Sequence, residues 1–108
     1  MKPWKQLKIY LSEAQHWKHQ PLYKALIEKA RQTGLAGATV TRAIEGYGGK
    51  SPVRTSSILA LSEDLPLILT IVDEAEKIRF FYESIQEMIK GNLVILESVE
   101  VLQHPLDE

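Results

Sequence analysis

No cysteine occurs anywhere in the 108 residues. Disulfides, thiol nucleophiles and thiolate zinc sites are excluded at once, and the composition suits a reducing compartment. Long apolar runs are also missing. None approaches the ~20 residues that span a bilayer. The amino-terminal stretch from Met1 to Lys8 lacks the uninterrupted apolar segment of a signal peptide, so a cytoplasmic protein with no direct membrane insertion is expected. Nor is there an excess of charge of one sign. Thirteen Lys and Arg stand against 14 Asp and Glu, a net charge of −1, which provides no field to gather nucleic acid or anionic lipid. What the chain does have is apolar content, 44% of its residues. That is enough for one core, and residues 1–108 are expected to form a single domain.

The apolar residues fall into six blocks. Leu7, Ile9 and Leu11 alternate with polar neighbours, as in a strand with one buried face. After a polar connection, Pro21 suits the first position of a helix. Leu22, Leu26 and Ala30 form its stripe, flanked by Tyr23 and Ile27, and Gly34 closes it. Residues 37–45 are rich in β-branched side chains and predict a second strand. Pro66 to Asp73 predicts a third, apolar on both faces, with Leu67, Leu69 and Ile71 on one and Ile68 and Val72 on the other. Asp73 is expected to cap a second helix, with Glu76 three residues on as in a capping box. Ile78, Phe81, Ile85, Met88 and Ile89 make that helix's buried stripe, which Lys90-Gly91 ends. Leu93 to Leu102 predicts a long fourth strand, bent near Ser98.

The order β-α-β-β-α-β predicts an α+β, ferredoxin-like fold. It is a four-stranded antiparallel sheet with two helices on one face, joined by right-handed crossovers. One sheet face is then left without helices, and burying Leu67, Leu69 and Ile71 exposes Ile68 and Val72. Apolar surface of that extent implies a partner. Packing of open faces in a homo-oligomer is expected, the alternative being a carboxyl-terminal tail folded beneath the sheet.

Between the second and third strands lies the feature the rest presents: Glu45-Gly46-Tyr47-Gly48-Gly49-Lys50-Ser51, opening a loop of about 46–64. Loops of that length in small domains tend to be functional. Glycine admits positive φ and close approach of a ligand to backbone N–H groups, and Tyr47 offers a stacking face.

Ile9 to Glu13, Pro21-Leu22-Tyr23, Gly34 to Val40, Gly46-Tyr47-Gly48, Leu61 to Pro66 and Ile71-Val72-Asp73 resemble the uncharacterised PII-like bacterial family, domain of unknown function 190. The resemblance covers nearly the whole chain in order. It implies a PII-like trimer, with small ligands, often adenine nucleotides, in clefts between subunits. It also implies a long loop after the second strand that rearranges to engage a partner protein. Gly46-Tyr47-Gly48 looks like the Gly-Phe-Gly at the base of that loop. The ligand-binding residues expected on this basis are Glu45, Gly46, Tyr47, Gly48 and Gly49, with Lys90 and Gly91 bordering the cleft from the helix end. Lys50 and Arg54 are expected to meet a partner on the loop. PII proteins that bind nucleotide have a glycine-rich, lysine-ended turn before the fourth strand and paired basic residues after it begins. Here the turn is only Lys90-Gly91-Asn92 and the later positions offer Glu97 and Glu100, which argues against a triphosphate and leaves open a smaller or less charged ligand, or none; no cofactor is named.

Other signals point away from rival functions. Gly49-Lys50-Ser51 resembles the end of a P-loop, but the position needing the first glycine is Ile44, and Pro52 opposes the helix that should follow. Ile9-Tyr10-Leu11 resembles the shorter RNA-recognition signature, but Pro66 to Asp73 has neither the aromatics nor the basic residues of the longer one. His16 and His19 lie three apart without a carboxylate partner, too little for a metal site. No nucleophile–base set or acid pair is recognisable, so no enzyme is expected, and the resemblance implies a regulatory protein. The alternatives are an enzyme with its active site in the intersubunit cleft, or a scaffolding trimer without ligand.

Overall fold

The computed structural model describes residues 2–47, 54–55 and 65–105. The elements run in the order β1 (Trp4–Ser12), β2 (His16–Trp17), β3 (Gln20–Pro21), α1 (Leu22–Thr33), β4 (Ala38–Arg42), β5 (Glu45–Gly46), β6 (Arg54–Thr55), β7 (Pro66–Glu74), α2 (Ala75–Ser84) and β8 (Val94–Val99). The main sheet has four strands in the order β4-β7-β1-β8, and every pairing is antiparallel. Each helical crossover skips one strand, which is the ferredoxin-like α+β arrangement expected from the sequence.

The core lies between the sheet and its two helices. Leu7, Ile9 and Leu11 of β1 and Leu67, Leu69 and Ile71 of β7 are buried against Leu22, Leu26 and Ala30 of α1 and Ile78 and Phe81 of α2. Strand pairing sets this face: Ile9 lies opposite Leu69 and Leu7 opposite Ile71. Side chains two apart therefore stack on the same side across the central pair. Burying each such side chain is worth about 1.5–3 kcal/mol.

Element ends depart from the sequence expectations where tertiary bonds replace local ones. Pro21 is the N-cap of α1 rather than its first residue, and the Leu22 N–H donates to the Gln15 carbonyl at 2.8 Å. Gly34 takes a left-handed conformation with φ 84°, which glycine adopts without steric cost. The single strand expected over 37–45 is broken: β4 ends at Arg42, Ile44 is exposed, and β5 resumes at Glu45.

Asp73 is not the cap of α2. Glu74 occupies that position and makes no side-chain cap bond. Asp73 is instead fully buried and accepts the Ala36 N–H at 2.8 Å and the Glu74 N–H at 2.6 Å, tying the α1–β4 connection to the end of β7. A buried carboxylate needs such donors. The second helix also ends early, at Ser84; Ile85 to Gly91 continue as turns that keep Ile85 and Ile89 buried.

The fourth strand is shorter than expected. The chain leaves the sheet after Val99, and His104 stacks on the Trp4 ring at 4.7 Å. Residues Val101 to Pro105 thus fold beneath one end of the open face. With Trp4, Thr70 and Val72, Val101 and Gln103 to Pro105 border a cavity of about 370 Å³. Ile68 and Val72 are half-buried. A further apolar run in the sequence, Ile58-Leu59-Ala60-Leu61, lies outside the described residues.

Candidate functional site

One end of the sheet gathers the residues singled out from the sequence. Register puts Arg42 and Leu11 both opposite Leu67, and Ser12 opposite Pro66. The close of β1, the close of β4 and the start of β7 therefore meet there. β8 begins at the same end, with Val94 opposite Ile9.

The loop base lies on the β4 side. The Ala43 N–H donates to the Pro66 carbonyl at 2.8 Å, and β5 pairs with β6, Glu45 opposite Thr55 and Gly46 opposite Arg54. Glu45 is exposed, and so is Tyr47, at 79%; the Tyr47 ring is a free face, not a core group. Gly46 does not use the conformational freedom expected of it. A Cβ built there would meet the Pro66 Cγ at 3.4 Å, an ordinary contact, and its φ is not in the left-handed range. Gly48, Gly49 and Lys50 lie outside the described residues.

Lys90 and Gly91 stand on the other edge, where α2 returns to β8. Gly91 has φ 89°, a demand that favours glycine at this turn. Asn92 fastens the turn to β1. Its Nδ2 donates to the Tyr10 carbonyl at 2.9 Å and to Gln15 Oε1 at 2.9 Å, and Gln15 Nε2 returns a bond to Asn92 Oδ1 at 3.2 Å. Lys90 is exposed beside this brace.

The two halves of the expected site therefore share an end of the sheet but not an edge. Strands β7 and β1 lie between β4 and β8, so the edges are about 14 Å apart at ~4.8 Å per strand.

Sequence reasoning missed what roots the loop base. The Glu13 carboxylate pairs with Arg42 and accepts the Leu65 N–H at 3.4 Å. Residues 13, 42 and 65 share no local pattern, so no periodicity could have joined them. The clear titration shifts lie elsewhere, on the outer surface of α1. Hydrogen bonds from Arg31 hold the Glu28 carboxyl below its usual range, and Glu28 raises Arg31. Trp17 packs against the core with Lys18 Nζ 5.4 Å from its ring centroid. His16 bonds the Ala14 carbonyl through Nδ1 at 2.8 Å. Among the described residues no group of three or more His, Asp or Glu is placed to hold a metal, and no helix is long and apolar enough to cross a membrane.

The family model described as Uncharacterized ACR, domain of unknown function 190, matches residues 4–101. The chain belongs to this family. A UPF0166 protein of Aquifex aeolicus (strain VF5) is 44% identical over 98 residues, covering 91% of this chain and 92% of that protein. Among solved structures, CPII from Thiomonas intermedia K12 is a nitrogen regulatory PII-like protein bound to ADP, AMP and bicarbonate. It matches with TM-score 0.72 at 16% identity, over 94% of this chain and 90% of that one. CutA1 from Oryza sativa matches with TM-score 0.62 at 14% identity, over 94% and 84%. At those identities the two structures share a fold with this member of the family. The PII-like architecture is common to proteins of different description.

Proposed function

We propose that this chain is a PII-like regulatory protein that works as a homotrimer. It binds a small molecule, an adenine nucleotide or an anion, in clefts between subunits, and signals occupancy to a protein partner through the 46–64 segment. The observation that carries this reading is the placement of Glu45, Gly46 and Tyr47 on the β4 edge and of Lys90 and Gly91 on the β8 edge. Within one chain they lie at different edges of the sheet. Juxtaposing the β4 edge of one copy with the β8 edge of the next joins them in a single cleft.

Three features support this reading. The open face carries half-buried Tyr10, Ile68, Val72 and Ile95, the edge strands offer unpaired backbone groups, and the fold is shared with CPII, which binds ADP, AMP and bicarbonate. Ligand binding moves the 46–64 segment only as far as the ligand prefers one arrangement over another.

The test pairs sedimentation with thermal shift. A trimer is expected at micromolar concentration, stabilised by ADP, AMP or bicarbonate. A ligand at one hundred times its dissociation constant adds about 2.7 kcal/mol. Tyr47→Ala and Lys90→Ala should each reduce that gain and leave the trimer intact. A monomer, or a trimer that none of the three compounds stabilises, would remove this reading.

A further inference from the structure

Glu13 stands at a junction that the cleft residues do not include. It follows β1, and its carboxylate reaches two other segments at once. Oε2 pairs with the Arg42 guanidinium. Oε1 accepts the Leu65 N–H at 3.4 Å, while the Glu13 N–H donates to the Leu65 carbonyl at 2.9 Å. Arg42 is the last residue of β4 and Leu65 precedes β7. One side chain therefore holds both the outgoing and the returning strand end.

The pair is asymmetric. The Glu13 side chain is 12% exposed and the Arg42 side chain 60%. The carboxylate is fixed by the scaffold, while the Arg42 side chain is mostly exposed, with guanidinium donors beyond the one Glu13 takes. Arg42 is also the one cation among the described residues from Ala38 to Tyr47, along the edge where the proposed cleft would open.

We infer that Arg42 is an oxyanion-binding residue at this edge and that Glu13 is its built-in competitor. An incoming phosphate, bicarbonate or carboxylate takes the guanidinium from Glu13, and the change is felt at Leu65 through the same carboxylate. The planar fork suits an anion presenting two oxygens side by side. After the exchange the Glu13 carboxylate keeps the Leu65 N–H as a donor, and the fold holds through the separate Glu13–Leu65 backbone bond. This inference rests on the ligand-binding reading above and adds the chemical class and the displaced partner.

The experiment titrates inorganic phosphate, bicarbonate and ADP separately into isotope-labelled trimer, following affinity and the Leu65 amide resonance. Glu13→Gln keeps the shape and an acceptor for Leu65 but gives up the charge. It should bind about two- to five-fold tighter, the range of an ion pair with one partner exposed. Arg42→Gln should bind at least about tenfold weaker, as expected on losing a charge-assisted pair, with partial rescue by Arg42→Lys. The double variant should bind no tighter than Arg42→Gln. Ligand should shift the Leu65 amide in the wild type and leave it nearly still in Glu13→Gln. Binding that Arg42→Gln leaves unchanged overturns the assignment of Arg42 alone. Weaker binding by Glu13→Gln, or a gain that persists without Arg42, overturns the competition. Failure of all three probes on the wild type overturns this inference together with the reading it rests on.

Discussion

Leu69 and Ile68 are neighbours in one strand with opposite surroundings. Leu69 is fully buried beneath the helices, while Ile68, on the other side of the same sheet, is half-buried. The helix face is completed by the chain itself, through Phe81, Leu26 and the rest of the core. Among the described residues the open face is covered at one end, where the tail brings His104 onto Trp4. A strand apolar on both sides thus asks for two covers, and the described residues supply one and part of another. The first makes the fold, and the second, on our reading, makes the assembly and its clefts.

That contrast is broken most severely on the closed face. Phe81→Ala should cost about 3–5 kcal/mol by denaturant unfolding, the range for truncating a buried aromatic. A loss below about 1 kcal/mol would mean that Phe81 is not the packing centre its zero exposure indicates.

On the open face the same kind of damage should leave the fold and remove the partner. Ile68→Asp is expected to yield a folded monomer by sedimentation and circular dichroism. It forfeits about 1.5–3 kcal/mol of apolar burial per subunit and places a charge where none can be solvated. A trimer that tolerates this aspartate would show that the open faces do not meet.

Asp73→Ala probes the bond between the α1–β4 connection and β7. It leaves the half-buried Ala36 N–H without its acceptor and should cost about 1–3 kcal/mol, with faster amide exchange at Ala36. A Ser or Thr in place of Asp73 should recover part of that loss, because a hydroxyl can still accept.

The smallest effect belongs to the tail. His104→Ala removes a ring stack worth about 0.5–1.5 kcal/mol. It should raise the accessibility of Trp4, read as a red shift and stronger quenching of its fluorescence against the Trp17 background. Unchanged fluorescence would mean that the backbone of the tail, not the imidazole, shelters the indole.

The ferredoxin-like order was legible because strand alternation and helix stripes are local patterns. Leu7, Ile9 and Leu11 disclose their face within five residues, as do Ile78, Phe81 and Ile85 within eight. The glycine-marked loop base and the Lys90-Gly91 turn were legible as punctuation, although only Gly91 bears out the conformational reason among the described glycines of the site. Asp73 shows how a local rule misleads. Its spacing from Glu76 satisfies a capping box, yet burial and the Ala36 N–H claimed the carboxylate first.

By itself the sequence determined the class of fold, the faces of the strands and the positions where the chain turns, since each follows from steric and hydrophobic preferences acting over a few residues. Only the tertiary structure decided that the two halves of the expected site stand on opposite sheet edges, that Glu13 meets Arg42, and that His104 lies on Trp4. Those contacts depend on strand order and register, which bring together residues whose spacing along the chain carries no period to read.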